Sequence, residues 1–350
     1  MRGLLRPAAG LGFVLAMTAG GTACSSGEGE GSGAGSSAEP SLSASATDAG
    51  DGDGSGGGGG GGGDGTEYAP YVIATTPSLV DGAGAPQSYN LAFVLSDGKG
   101  CTPMWDGVVA IDDAAIPTRI SMLTRSGADV RVSFGGADGE ELAAVCDSAE
   151  ELARAYGAAL DAAGADKADF DIEGDDLGDA GSVERRNEAI ALLQRERADL
   201  EVSYTLPVMP SGLEEDGLDL LASAEEQGVE VHTVNLMTMN YGESFDGDMG
   251  DYAIEAAGAA HGQLMEVFGR TEAEVWGGMA LTSMIGVNDV KGETFTVEDA
   301  GQVRAFAEEK GIGWVSMWAA HRDRACGEGQ TTECSGVEQG EGAFGEAFGG

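Results

Sequence analysis

Asp166-Lys167-Ala168-Asp169-Phe170-Asp171-Ile172-Glu173 is the stretch that decides the fold. Ala168, Phe170 and Ile172 alternate with Asp169, Asp171 and Glu173, and a two-residue period is that of a β-strand. Such a strand turns its apolar side chains to one layer and all three carboxylates to the other. Neighbours on one strand face sit about 6–7 Å apart. Without water between them they cannot all ionise cheaply, so at least one pKa rises and its owner can serve as an acid near neutral pH. An exposed edge strand could carry the same pattern in so acidic a chain. The elements on either side decide between the two.

Seven further strand candidates surround this one. Upstream are Tyr71–Thr75, Asn90–Leu95 and Asp129–Phe134, with a helix expected over Ile116–Arg125. Ser148 and Glu151 form a capping-box signal for the next helix, whose stripe of Leu152, Tyr156, Ala159 and Leu160 ends at Gly164. The acidic strand is the fourth. Downstream, helices expected at 184–197, 218–227 and 254–268 separate strands at Glu201–Leu206 and Val234–Met239 and one starting at Val275–Met279. Thr296 and Asp299 open a last helix that closes at Gly311, before an eighth strand at Trp314–Trp318. Eight strands alternating with helices predict an α/β fold, a (β/α)8 TIM barrel, in which catalytic side chains sit at the C-terminal strand ends. Glu173 ends its strand and is followed at once by Gly174.

The chain has 350 residues, with 18 basic against 60 acidic side chains and a net charge of −42. So negative a surface excludes nucleic acid, whose phosphates would be repelled, and permits a neutral or cationic partner. Arg2 and Arg6 precede an apolar run, Ala8 to Ala19, too short to span a bilayer; residues 1–24 read as a secretory signal. It ends in Gly21-Thr22-Ala23-Cys24, which marks Cys24 as a candidate lipidation site, although cleavage after Ala23 without lipid also fits. Residues 25–67 are almost entirely Gly, Ser, Ala, Asp and Glu and include the run Gly56 to Gly63. They cannot bury enough apolar surface to order and are expected to be a tether. Residues 68–350, about 280 in all, suit one barrel.

Beyond Cys24 the cysteines are Cys101, Cys146, Cys326 and Cys334, an even number in a chain with an export signal. Two disulfides are expected. Of the three pairings open to them, Cys101–Cys146 with the short-loop pair Cys326–Cys334 is preferred. No C-x-x-C or H-E-x-x-H occurs, so no metal or other cofactor is expected.

Four motifs coincide on these strands: Ser133-Phe134-Gly135-Gly136 on the third, the complete D-x-x-D-x-D-x-E on the fourth, Met237-Thr238-Met239-Asn240-Tyr241-Gly242 after the sixth, and Trp318 at the end of the eighth. Over about Ala69 to Cys326 the chain resembles the family 18 glycoside hydrolases, and phrases such as Met284-Ile285-Gly286-Val287-Asn288-Asp289 look like those of exported actinobacterial chitinases. The resemblance implies hydrolysis of chitin or N-acetylglucosamine oligosaccharides, with the substrate's acetamido oxygen as nucleophile. Glu173 would then be the general acid and base, Asp171 would orient the acetamido group, and Asp169 would share a proton with Asp171. It implies Trp318 as the floor under the reacting sugar, and substrate contacts from Ser133, Gly135, Gly136 and Asn240. Tyr241 would replace a hydroxyl that the family carries where Met239 stands. Met237 is either barrel filling or a sugar contact, Tyr71 packing or site wall, and Trp105 a stacking platform or a loop anchor. Cleavage of N-glycan cores and sugar binding without turnover are the alternatives. A monomer is expected, outside the cell, either secreted or held at the outer membrane face by a lipid on Cys24. The short span between Met284 and Thr296 leaves no room for an additional α+β domain, so an open groove is expected.

Overall fold

The computed structural model describes residues 65–327 and 333–350. The expected signal, most of the tether and Cys24 lie outside the described residues. The strands are β1 (Glu67–Tyr68), β2 (Tyr71–Ile73), β3 (Ser88–Ser96), β4 (Pro103–Trp105), β5 (Val109–Ala110), β6 (Asp129–Gly135) and β7 (Lys167–Asp171). They continue as β8 (Glu201–Pro207), β9 (Thr233–Met237), β10 (Met279–Met284), β11 (Gly286–Val287), β12 (Thr294–Phe295) and β13 (Trp314–Trp318). The helices are α1 (Ala115–Leu123), α2 (Leu142–Val145), α3 (Ala149–Ala163), α4 (Asp175–Gly178) and α5 (Ala180–Glu196). After them come α6 (Glu215–Gln227), α7 (Met249–Phe268), α8 (Glu272–Gly277), α9 (Val297–Lys310) and α10 (Ala343–Gly349).

Parallel pairing runs β3-β6-β7-β8-β9-β10-β13 without a break. The first strand closes the ring in two pieces. β1 pairs with β13, and β2, past Ala69-Pro70, pairs with β3. Counting β1 and β2 as one, eight parallel strands form a barrel inside a layer of helices, as the alternating pattern predicts. Ring closure leaves no open edge on the parallel sheet.

Apolar alternation fixes which side of each strand faces the helices. Phe134, Phe170 and Tyr204 occupy neighbouring strands, and the first two stack 5.3 Å apart. Tyr156 of α3 meets both, at 4.7 and 5.0 Å. Its hydroxyl donates to Glu141, which also receives Arg186 of α5 at 3.0 Å in a fully buried ion pair. With Phe170 held outward by this layer, Asp169 and Asp171 must face the barrel interior.

Several expectations shift. Glu67 already pairs with β13, ahead of the first strand expected at Tyr71. Residues 272–277 form α8, stopped by Gly278, so the seventh barrel strand begins only at Met279. Ser148 does cap α3, but Glu151 reaches back to the Asp147 N–H, so the reciprocal bond of a capping box is absent there. A full box forms instead at Thr271 and Glu274, and another at Thr296 and Asp299. Between Met284 and Thr296 there is only the β11–β12 hairpin. Cys101 pairs with Cys146 and Cys326 with Cys334. The first disulfide ties the loop after β3 to the end of α2.

Candidate active site

Asp169 sits at the centre of the barrel, wholly buried. Four hydroxyls converge on it: Tyr71 at 2.9 Å and Ser133 at 2.6 Å on Oδ2, Ser203 at 2.7 Å and Thr205 at 2.8 Å on Oδ1. Four donors satisfy the acceptor capacity of an ionised carboxylate. Beneath them Asn235 donates to Thr205 at 2.9 Å and accepts from Thr282 at 2.8 Å, extending the polar network to β9 and β10.

Asp171 lies one pleat further along β7 and is also buried, but its Oδ1 has no partner. Burial first, then the charges of Glu173 and Asp169, push its carboxyl well above the usual range. It is therefore neutral where an ordinary aspartate is charged. Glu173 stands two residues past the strand end. Burial, with Asp138 nearby as the second cause, pushes it up to about 7. A carboxyl at that value is divided between acid and base at neutral pH, as general catalysis requires.

Both groups open into a cavity of about 170 Å³. Its walls include Tyr71, Phe93, Asp138, Thr205, Met237, Met239, Asn240, Asp289 and Trp318. Trp318 stacks on Phe93 at 5.4 Å and meets the edge of Tyr71 at 5.8 Å. An indole held on two sides offers a fixed flat face for a sugar ring.

The Gly135-Gly136 pair explains how β6 approaches so closely. Both have φ of +94°, and the Gly136 N–H bonds the Asp171 carbonyl at 2.9 Å. A methyl on Gly135 would run into that same carbonyl, and one on Gly136 would meet the Phe93 ring at 2.8 Å. These glycines set the height of Asp171 through backbone contact and do not line the cavity. Ser133 likewise acts through Asp169.

The expected substrate contacts of Ser133, Gly135 and Gly136 are therefore replaced by support of the carboxylates, and two aromatic candidates also stay out of the cavity. Trp105 is fully buried on β4, where the hairpin folds it under β3, so it is an anchor and offers no stacking face. Tyr241 turns away from the cavity and packs 5.9 Å from Phe245 and 6.0 Å from Tyr252. Met237 and Asn240 do reach the wall. Asn240 holds a φ of +55°, and its Oδ1 accepts from the Asp289 and Val290 N–H groups at 3.2 and 3.3 Å. Its amide orientation is thereby fixed.

Sequence reasoning missed Phe93, Asp138, Ser203, Thr205, Asn235, Thr282 and Asp289. The signal for the hydroxyls was present: Ser203 and Thr205 share the two-residue period of the carboxylates opposite them. Registers of Asp169 with Ser203 and Asp171 with Thr205 carry that pattern across the barrel.

No family model matches the chain. It is 35% identical over 303 residues to a probable bifunctional chitinase/lysozyme of Escherichia coli, covering 80% of this chain and 34% of that protein. It is 35% identical over 274 residues to endochitinase 11 of Metarhizium anisopliae, covering 73% and 52%. The chain thus spans about a third and about half of these relatives. Among solved structures, the catalytic domain of a hyperthermophilic chitinase from Pyrococcus furiosus superposes with a TM-score of 0.72 at 30% identity. That alignment covers 81% of this chain and 93% of that domain. A family 18 chitinase from Pseudoalteromonas aurantia, 13% identical with a TM-score of 0.54, shares the fold.

Proposed function

The chain belongs to the family 18 glycoside hydrolases, and from that premise we propose that it is a chitinase. It cleaves β-1,4 bonds in chitin or chitooligosaccharides, with retention of configuration at the cleaved carbon. One observation carries this reading: of the three strand carboxylates, only Glu173 is free to exchange a proton with substrate. Asp169 is saturated by four hydroxyls, and Asp171 is buried, with its carboxyl pushed well above the usual range by burial first. Ordinary retaining glycosidases need an ionised carboxylate as nucleophile. The family 18 enzymes use the substrate's acetamido oxygen in that role, and an Asp171 carboxyl pushed up by burial fits that scheme better than one in which it attacks C1.

The sequence of events follows. Glu173 protonates the glycosidic oxygen as the acetamido oxygen of the sugar over Trp318 attacks C1. The leaving chain departs and a cyclic oxazolinium remains. Asp171, whose Oδ1 has no partner among the described residues, would orient the acetamido group and stabilise the positive ring. Glu173, now ionised, takes a proton from water, which opens the ring from the opposite face. Two inversions at one carbon give retention.

An extracellular setting fits the same reading. Two disulfides suit an oxidising compartment, and polymeric chitin cannot enter a cell. We place the protein outside the cell as a monomer, secreted or anchored through Cys24, and akin to the actinobacterial type. Incubation with an N-acetylglucosamine pentamer tests the activity directly. Release of shorter oligomers by the wild type, and none by Glu173→Gln, is expected; an intact pentamer would refute the assignment.

A further inference from the structure

The loop after β9 brings a strained residue to the wall of the catalytic cavity. Asn240 has a φ of +55°, a left-handed backbone that a non-glycine residue keeps where its surroundings impose it. Here the β11–β12 hairpin imposes it. The Asp289 and Val290 N–H groups at its turn donate to Asn240 Oδ1, which leaves Nδ2 beside the Met284 thioether at 4.0 Å. Asn240 and Met284 both line the cavity. A thioether is a weak acceptor, so this amide N–H is available to a sugar oxygen.

The same hairpin grips the backbone behind Asn240. Glu293, the residue before β12, is fully buried, and its Oε1 accepts from the Gly242 N–H at 2.8 Å. The hairpin holds Glu293 in turn: its N–H donates to the Val290 carbonyl at 3.3 Å, and its carbonyl accepts from the Asn288 N–H at 3.2 Å. Burial pushes the Glu293 carboxyl up, and the N–H groups of Gly242, Asn240 and Tyr241 oppose that push. Its Oε2 has no hydrogen-bond partner among the described residues. A buried carboxyl with one oxygen unpaired costs stability, so packing alone does not account for an acid at this position.

We propose that Glu293 is a positioning residue for hydrolysis: by tying down residues 240–242 it holds the Asn240 amide where it donates to the bound N-acetylated sugar. This rests on the chitinase reading above. Glu293 is fully buried and does not line the cavity, so it acts through Asn240 and not on the substrate. Loss of the amide donor should lower kcat/KM about tenfold, the effect of one hydrogen bond. Loss of Glu293 should do the same, because the released turn gives up the left-handed backbone and the amide leaves the wall.

A double-mutant cycle tests this. Hydrolysis of the N-acetylglucosamine pentamer is measured for the wild type, Asn240→Gly, Glu293→Ala and the double variant, with melting curves to show that each is folded. Glycine removes the amide and tolerates the same φ. Each single variant should lose about tenfold in kcat/KM, and the double variant no more than about tenfold, because the two residues act as one unit. Glu293→Gln, which keeps an acceptor for the Gly242 N–H, should stay within about threefold of the wild type. If Glu293→Ala does not fold, Glu293→Asp, one methylene short of that N–H, replaces it in the cycle. Losses that multiply to about a hundredfold in the double variant, or a single variant at either position as active as the wild type, overturn the inference. In an active wild type those outcomes sink the positioning role alone, whereas no turnover by the wild type sinks the chitinase reading and this inference with it.

Discussion

Replacing Glu173 by Gln should make the protein inactive throughout and, at high pH only, more stable. Burial, with Asp138 second, raises the Glu173 carboxyl from its ordinary 4.5 to about 7. Between those values the folded protein binds a proton that the unfolded chain has released. Stability therefore falls as pH rises through this window, by about 3 kcal/mol in all. Glutamine is isosteric and never ionises, so the loss disappears. Relief of Asp171, which feels the Glu173 charge, acts in the same direction. For about 280 ordered residues, 3 kcal/mol corresponds to a Tm difference of about 5 °C. Thermal unfolding of both proteins from pH 4 to pH 9 is the assay. The melting curves should coincide near pH 4 and diverge above pH 5, with the variant about 5 °C higher at pH 8. A constant offset across the range, or a less stable variant at pH 8, would refute the burial argument for Glu173.

Other perturbations probe the supports of the site. Asp138→Asn removes the second cause of the raised Glu173 value, so the basic limb of the kcat/KM profile should move to lower pH by about half a unit; a limb that stays in place denies the coupling. Asp171→Asn should slow hydrolysis by about 100-fold or more without a glycosyl-enzyme adduct in the intact mass. Gly135→Ala should cost at least about 2 kcal/mol of stability, since its methyl meets the Asp171 carbonyl, whereas Gly174→Ala, at a φ of +60° with open space around it, should cost less. Chemical denaturation of the two glycine variants checks the order.

Much of the barrel was legible because its period is local. The two-residue alternation on β7 and the caps at Thr296 and Gly311 state their own structure. The closing strand was less so: β1 holds two residues, and its pairing with β13 spans nearly the whole fold. Position 275–279 misled because Val275 and Trp276 are apolar enough for a strand, while the Thr271 capping box, which starts a helix there, outweighs them. The carboxylates could be read from one strand, but their partners could not. Ser203, Thr205 and Asn235 carry no chemistry alone and become part of the site only when the register sets them against Asp169. Trp105 and Tyr241 failed for the opposite reason. Each follows a strand end, where site residues cluster, yet each aromatic ring gains more by burial among neighbours than by facing the groove.

The central claim is that the substrate, and not a protein carboxylate, supplies the nucleophile. Its most direct test is proton NMR of the first products from an oligomer with N-acetylglucosamine over Trp318, beside one with glucosamine at that unit. The N-acetylated substrate should release the β-anomer first, and the deacetylated one should resist cleavage. A dominant α-anomer, or rapid hydrolysis of the deacetylated unit, would contradict it even if Glu173 proved essential.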